Sequence, residues 1–158
     1  MRLDEVLDLH AELRRRAVCV HGLADSLAET QPELEATVGR LVEALVGRAI
    51  PASNVERVGR FSPDRPRPVV VRFAKVLDKV AVLGAKGALY GPSPPSTFEG
   101  VRIYHDLSGA QMDWKRRLRG VYEGFLAAGV RAVWRRGYRL MALLAGSWVE
   151  FYPTLLLV

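Results

Sequence analysis

The sequence predicts an α+β chain in two parts: a ferredoxin-like β-α-β-β-α-β arrangement, then one helix and a three-stranded sheet. Three observations carry that prediction. Thr30-x-x-Glu33 and Ser108-x-x-Gln111 are capping-box signatures, and each opens a run with apolar residues at helical spacing. Short runs rich in β-branched residues, Val69-Val-Val71 above all, are bounded by Gly and Pro as strands are. In chain order these signals alternate strand and helix to about residue 107, then place one helix before three strands.

Residues 1–16 set Leu3, Val6, Leu7, Leu9 and Leu13 close to one helical face. So narrow a stripe does not hold a helix by itself; the end of a coiled coil and a helix packed on the domain both fit it. Val18 and Val20 then alternate with Cys19 and His21 before Gly22, which predicts the first strand, with Cys19 as a small core residue. The helix opened by Thr30 carries Leu34, Val38, Leu41, Val42 and Leu45 on one side and stops at Gly47. Asn54 to Phe61 reads as a polar edge strand bearing Arg57 and Arg60, followed by a proline-rich connection. The three consecutive valines of Val69 to Phe73 predict a central strand buried on both faces.

Residues 75–88 read as a helix whose face is Leu77, Val80, Ala81 and Leu83, weakened by Gly84 and Gly87. A Pro/Ser loop at 91–96 leads to Val101–His105, where Val101, Ile103 and His105 alternate with Arg102 and Tyr104. This order predicts a four-stranded antiparallel sheet with two helices on one face, the order of an RNA-recognition motif. The helix opened by Ser108 stacks Trp114, Leu118, Val121, Tyr122, Phe125 and Leu126, and Gly129 stops it. Strands at 130–134, 138–144 and 147–151 follow, turning at 135–137 and Ala145-Gly146. The predicted division is a short helix at 1–16, a first domain at 17–107, a second at 108–152 and an apolar tail at 153–158.

Charge is unevenly placed. Residues 1–55 hold six basic and nine acidic side chains, residues 56–158 seventeen and eight, and nineteen of the 23 cations are Arg. Arginine suits bidentate phosphate contact and stacking on bases, so a polyanion is the expected partner. The single cysteine excludes an internal disulfide, and the three histidines, His10, His21 and His105, lie on different elements at no metal-site spacing. Gly84-Ala-Lys-Gly87 lacks the rest of a phosphate loop. The longest apolar run, at 153–158, is far shorter than the ~20 residues that span a bilayer, and acids occupy the start where a signal peptide is apolar. The expectation is an intracellular binding protein, not an enzyme, with no cofactor, no metal and no membrane partner. Where an RNA-recognition sheet carries its stacking rings this chain has Cys19, Pro68 and Val70. Binding chiefly through phosphates is therefore expected.

Four blocks carry a family resemblance. Arg14-Arg-Arg-Ala-Val-Cys-Val-His-Gly-Leu23, Arg65-Pro-Arg-Pro-Val-Val-Val-Arg-Phe73, Val101 to Ser108 with Lys115-Arg116, and Gly129 to Trp134 with Tyr138-Arg-Leu140 occur in that order. The series resembles the first-open-reading-frame protein of LINE-one-type non-LTR retrotransposons. That resemblance implies a noncanonical RNA-recognition motif followed by a C-terminal nucleic-acid-binding domain. It also implies single-stranded RNA and DNA as partners, and a nucleic-acid chaperone in ribonucleoprotein particles of the cytoplasm or nucleus. By matching position it implies RNA contacts from Arg14, Arg15, Arg16, Arg57, Arg72, Lys86, Lys115, Arg116, Arg131 and Arg139; Arg102 and Arg119 join them from their strand and helix positions. The family trimerises through a long coiled coil that is absent here, so this chain is expected to be monomeric. Gly84 and Gly137 depart from the family pattern, and a protein-interaction module that has lost nucleic-acid affinity is the alternative reading.

Overall fold

The two sequence-announced helix starts are closed by reciprocal caps. Thr30 Oγ1 accepts from the Glu33 amide at 3.4 Å while the Glu33 carboxylate accepts from the Thr30 amide at 3.4 Å. Ser108 Oγ accepts from the Gln111 amide at 3.2 Å, and Gln111 Oε1 accepts from the Ser108 amide at 2.8 Å. Each pair satisfies donors that the first helical turn leaves unbonded. In the computed structural model, which describes residues 2–91 and 96–153, the elements are α1 (Leu3–Arg14), β1 (Ala17–His21), α2 (Gln31–Val46), β2 (Ala52–Arg57), β3 (Val69–Phe73), α3 (Val76–Ala85), β4 (Arg102–His105), α4 (Gly109–Ala127), β5 (Ala132–Arg135), β6 (Arg139–Leu144) and β7 (Ser147–Phe151). Apart from Pro153, the predicted apolar tail lies outside the described residues, as does most of the predicted 91–96 loop.

Arg15–Asp106 forms one compact unit. Its sheet has the order β2-β3-β1-β4 with every neighbouring pair antiparallel. Val18, Val20, Val55, Val69, Val71, Phe73 and Ile103 form one core with Leu34, Val38, Leu41 and Val42 of α2 and Val82 of α3. Because side chains alternate along a strand, Cys19, Val70, Arg72, Arg102 and Tyr104 must occupy the other face. β3 is thus buried on one face only, with Val70 half-buried and Arg72 exposed, and Cys19 is an open-face residue outside the core. Gly22 ends β1 at a positive φ of 88°, and a Cβ there would lie 2.6 Å from the Gly100 carbonyl oxygen, so only glycine fits.

Two elements differ from their expected form. β2 begins at Ala52 and ends at Arg57, earlier than predicted, and Gly59 at a φ of 93° turns the chain away. α3 is rotated about its axis relative to the predicted face: Leu77 is 77% exposed and Val80 is also exposed, while Lys79 and Val82 are buried. A lysine inside the buried stripe hid that face from an apolar count. Burial pushes the Lys79 ammonium below its ordinary value, and the Asp106 carboxylate offsets part of that shift.

The other unit joins α1 to the chain from Leu107 onward. Its sheet has the order β5-β6-β7, antiparallel throughout. Leu7 packs with Trp114, Leu118, Ala132, Tyr138, Leu140 and Ala142, and Gln111 Nε2 donates to the Leu7 carbonyl at 3.1 Å. Of the five apolar residues predicted to form the α1 stripe, only Leu7 is buried; Leu3, Leu9 and Leu13 are exposed. α4 also buries less than expected, since Val121 and Leu126 are exposed. Ala145 and Gly146, both at positive φ, make the two-residue turn that matches the twist of a β6–β7 hairpin.

α1 is a structural part of this unit, and one substitution tests it. Leu7→Ala removes a fully buried side chain and should cost about 3 kcal/mol. Amide exchange should then quicken in α4 and β6 while β1 and β3 keep their protection. Unchanged exchange in α4 and β6 would show that α1 does not support them.

Candidate nucleic-acid interface

The open face of the β1–β4 sheet sets cations against rings. β4 presents Tyr104, 47% exposed, with the His21 ring edge-on to it at 5.5 Å. Lys86 opens a short 3-10 turn, Lys86–Leu89, and from there its Nζ donates to the Ile103 carbonyl at 3.4 Å and stands 5.9 Å from the Tyr104 ring centre. The Arg102 guanidinium lies 4.5 Å from the ring centre of Tyr90. Arg72 stands exposed on the same face, opposite Asn54 and Ala17. Partial burial lowers the His21 pKa from its ordinary value, and the ring lies beside Cys19, whose Sγ is 3.4 Å from Nε2. Held this way, guanidinium and ammonium groups can pair with phosphates while ring faces take bases. Cys19, Pro68 and Val70 indeed supply no ring, but Tyr104 and His21 do, which corrects the expectation of a sheet without aromatics.

Two predicted RNA contacts are committed to the fold instead. Arg57 lies opposite Val69 in register and so shares the helix-covered face of β2 with Val55. Its side chain is 5% exposed and donates to both Glu29 oxygens at 3.0 Å, to the Leu23 carbonyl at 3.0 Å, to the Arg67 carbonyl at 2.8 Å and to the Ala24 carbonyl. Asp25, 2% exposed, accepts from Arg67 through Nε at 2.8 Å, Nη2 at 3.1 Å and the backbone amide at 3.2 Å. The Arg67 side chain's hydrogen bond, above all, holds the Asp25 carboxyl far below the usual carboxylate range against the cost of its burial.

Arg139 is the second. Its Nη2 donates to Asp8 at 2.6 Å and its Nη1 to Glu150 at 3.0 Å, and Tyr138 donates its hydroxyl proton to the same Asp8 oxygen at 3.0 Å. Burial raises the Asp8 pKa, but these hydrogen bonds and the Arg139 and Arg136 charges bring it below its ordinary value. Asp25, Glu29 and Asp8 were not legible as partners, since Asp8 lies 131 residues from Arg139 and Glu29 lies 28 from Arg57.

The remaining predicted cations divide between the two units. Arg15 and Arg16 form the exposed turn into β1, where the Arg16 carbonyl accepts from the Phe73 amide at 2.8 Å. Arg14 closes α1 and is half-buried. On α4, Lys115 stands 5.2 Å from the Trp134 ring centre, Arg116 pairs with Asp113 at 2.6 Å, and Arg119 is exposed. Arg117, absent from the predicted set, shares Asp113 at 3.0 Å. Arg131 is exposed and lies 5.9 Å from the ring centre of Trp148. Among the described residues no group of three or more His, Cys, Asp or Glu side chains has the arrangement of a metal site, and no helix is long and apolar enough to cross a membrane.

Two measurements separate structural from exposed arginines. Arg57→Ala leaves Asp25 and Glu29 short of a buried cation and should cost roughly 3 kcal/mol in urea unfolding, against less than about 0.5 kcal/mol for Arg72→Ala. The Asp25 pKa is depressed on folding, so the unfolded chain binds more protons in acid. Its stabilisation is complete above the unfolded value of about 3.9 and fades as pH falls below it. Asp25→Asn should flatten that acid limb, and an unaltered pH profile would remove Asp25 from the account.

No protein-family model and no curated protein matches the chain.

Proposed function

We propose that this chain binds single-stranded RNA, and single-stranded DNA, through phosphates and with little regard to sequence. It is a ribonucleoprotein component and nucleic-acid chaperone of the kind that LINE-one-type retrotransposons encode, a binding protein and not an enzyme. The observation that carries this reading is the open sheet face on which Lys86 and Arg102 stand over tyrosine rings with Arg72 exposed nearby. The strand order β2-β3-β1-β4, with α2 and α3 packed into the core on one face, supports a noncanonical RNA-recognition motif.

The chemistry follows from the groups available. Each cation that meets a phosphate releases condensed counterions, which gives affinity without base identity. Tyr104 adds stacking, which every base can accept. Contacts of this sort form and break individually, which lets a bound strand exchange pairing partners as a chaperone requires.

Anisotropy of a labelled 20-nucleotide RNA at several salt concentrations tests the proposal. Log K should fall linearly with log salt, with a slope of about 0.7 for each phosphate contacted. Replacing Arg72 and Arg102 by Gln should lower affinity about tenfold and reduce the slope by about 1.4, the share of two phosphates. Arg40→Gln with Arg48→Gln is the control, because Arg40 bonds Thr37 and Arg48 pairs with Asp78 away from the open face. Equal losses in the two double variants, both folded, would show that the charge acts diffusely and that this face is not the site.

A further inference from the structure

The three-stranded sheet has a second face, covered where Arg139 meets Asp8 of α1 and open around Trp148. Ala132, Leu140, Ala142 and Phe151 pack with Trp114 and Leu118 of α4, so alternation turns Val133, Met141, Leu143 and Trp148 the other way. One row across that face is ordered by the backbone. Leu143 is paired with Trp148 on β7 and donates its amide to the Arg131 carbonyl at 2.8 Å, which sets Arg131, Leu143 and Trp148 side by side. Trp148 is 45% exposed on an edge strand, a position that proteins ordinarily guard with charge.

The charges around this ring select the occupant. Arg131 and Arg135 are exposed cations on the same face, and Glu150, the carboxylate of that face, is held by Arg139. An apolar ring edged by guanidinium groups that pair with no carboxylate among the described residues complements a ligand that joins a flat π surface to an anion. A nucleotide within a strand is such a ligand, and the Arg131 guanidinium, 5.9 Å from the ring centre, is placed for the phosphate beside a stacked base.

We propose that Trp148 with Arg131 is a base-stacking site for single-stranded nucleic acid on the second unit, separate from the open face of the β1–β4 sheet. The inference rests on the single-strand-binding reading above. It adds to that reading a second ring contact to bases, on the other unit, in addition to that of Tyr104. Tryptophan is the strongest ring for such a contact, and stacking of this kind is worth about 1 to 3 kcal/mol per base, or roughly 5- to 150-fold in affinity.

Intrinsic fluorescence makes the test direct, because Trp114 is buried and Trp134 is half-buried against Tyr122, which leaves Trp148 as the solvent-facing tryptophan. The full chain is titrated with a 12-nucleotide oligo(A) RNA and with an abasic sugar-phosphate oligomer of equal charge. Oligo(A) should quench the red edge of the emission, and the abasic oligomer should not. Trp148→Leu, which keeps a β-compatible residue at an exposed edge, should bind oligo(A) about tenfold more weakly. Its affinity for the abasic oligomer and its salt slope should be unchanged, and Trp148→Phe should restore most of the loss. Equal binding of oligo(A) by wild type and Trp148→Leu overturns the proposal, as does an equal loss for both oligomers. A wild-type dimer that Trp148→Leu dissociates without change in RNA affinity also overturns it, by giving the face to a second copy. If the wild type binds neither oligomer, the single-strand reading itself fails and this inference falls with it.

Discussion

Each side chain of β1, β3 and β4 that turns toward α2 and α3 obliges its neighbour to turn away from them. That alternation is the constraint on which the rest depends. Val18, Val20, Val69, Val71, Phe73 and Ile103 are drawn inward by burial, a gain of about 1.5 to 3 kcal/mol for each large apolar side chain. Cys19, Arg72, Arg102 and Tyr104 are thereby presented outward together, on three adjacent strands, without any one of them contributing to the core. The candidate interface is a consequence of how the core is made.

The same alternation sorts the arginines. Arg57 and Arg72 sit on neighbouring strands of one sheet, yet register puts Arg57 on the covered side and Arg72 on the open side. Taking a guanidinium out of water costs several kcal/mol unless its donors are met, and Glu29 with three carbonyl groups meets those of Arg57. Arg139 follows the same rule in part: Asp8 takes its Nη2 and Glu150 its Nη1, while its buried Nε is left without a hydrogen-bond partner among the described residues. A high arginine content therefore overstates the charge free to meet a polyanion. Arg72, exposed on the open face, and Lys86 and Arg102, each held over a ring there, stay available to it.

What could be read from the sequence was whatever is local. Both capping boxes, the Gly47 stop, the alternation of Val101 to His105 and the Ala145-Gly146 turn depend on residues within a few positions of one another, and each is present. The failures needed distant information. Three valines in a row do not say whether a helix lies on one side of them or on both, and β3 proved half open. The α3 face was misplaced because Lys79, a charged residue, occupies a buried position beside Asp106. Arg57 and Arg139 were mistaken for surface cations because their carboxylates come from elsewhere in the chain. Trp148 was read only as a strand residue, since an aromatic at an alternating position gives no sign of which face it joins.

Backbone amide chemical shifts, followed as a short oligo(U) RNA is added to the full chain, test the central claim most directly. The account predicts that shifts concentrate at Cys19, His21, Arg72, Arg102 and Tyr104 in the β1–β4 unit and at Arg131 and Trp148 in the other, with the amides of α2 unmoved. Shifts confined to α2 and α3, or spread evenly over the surface in proportion to charge, would contradict it.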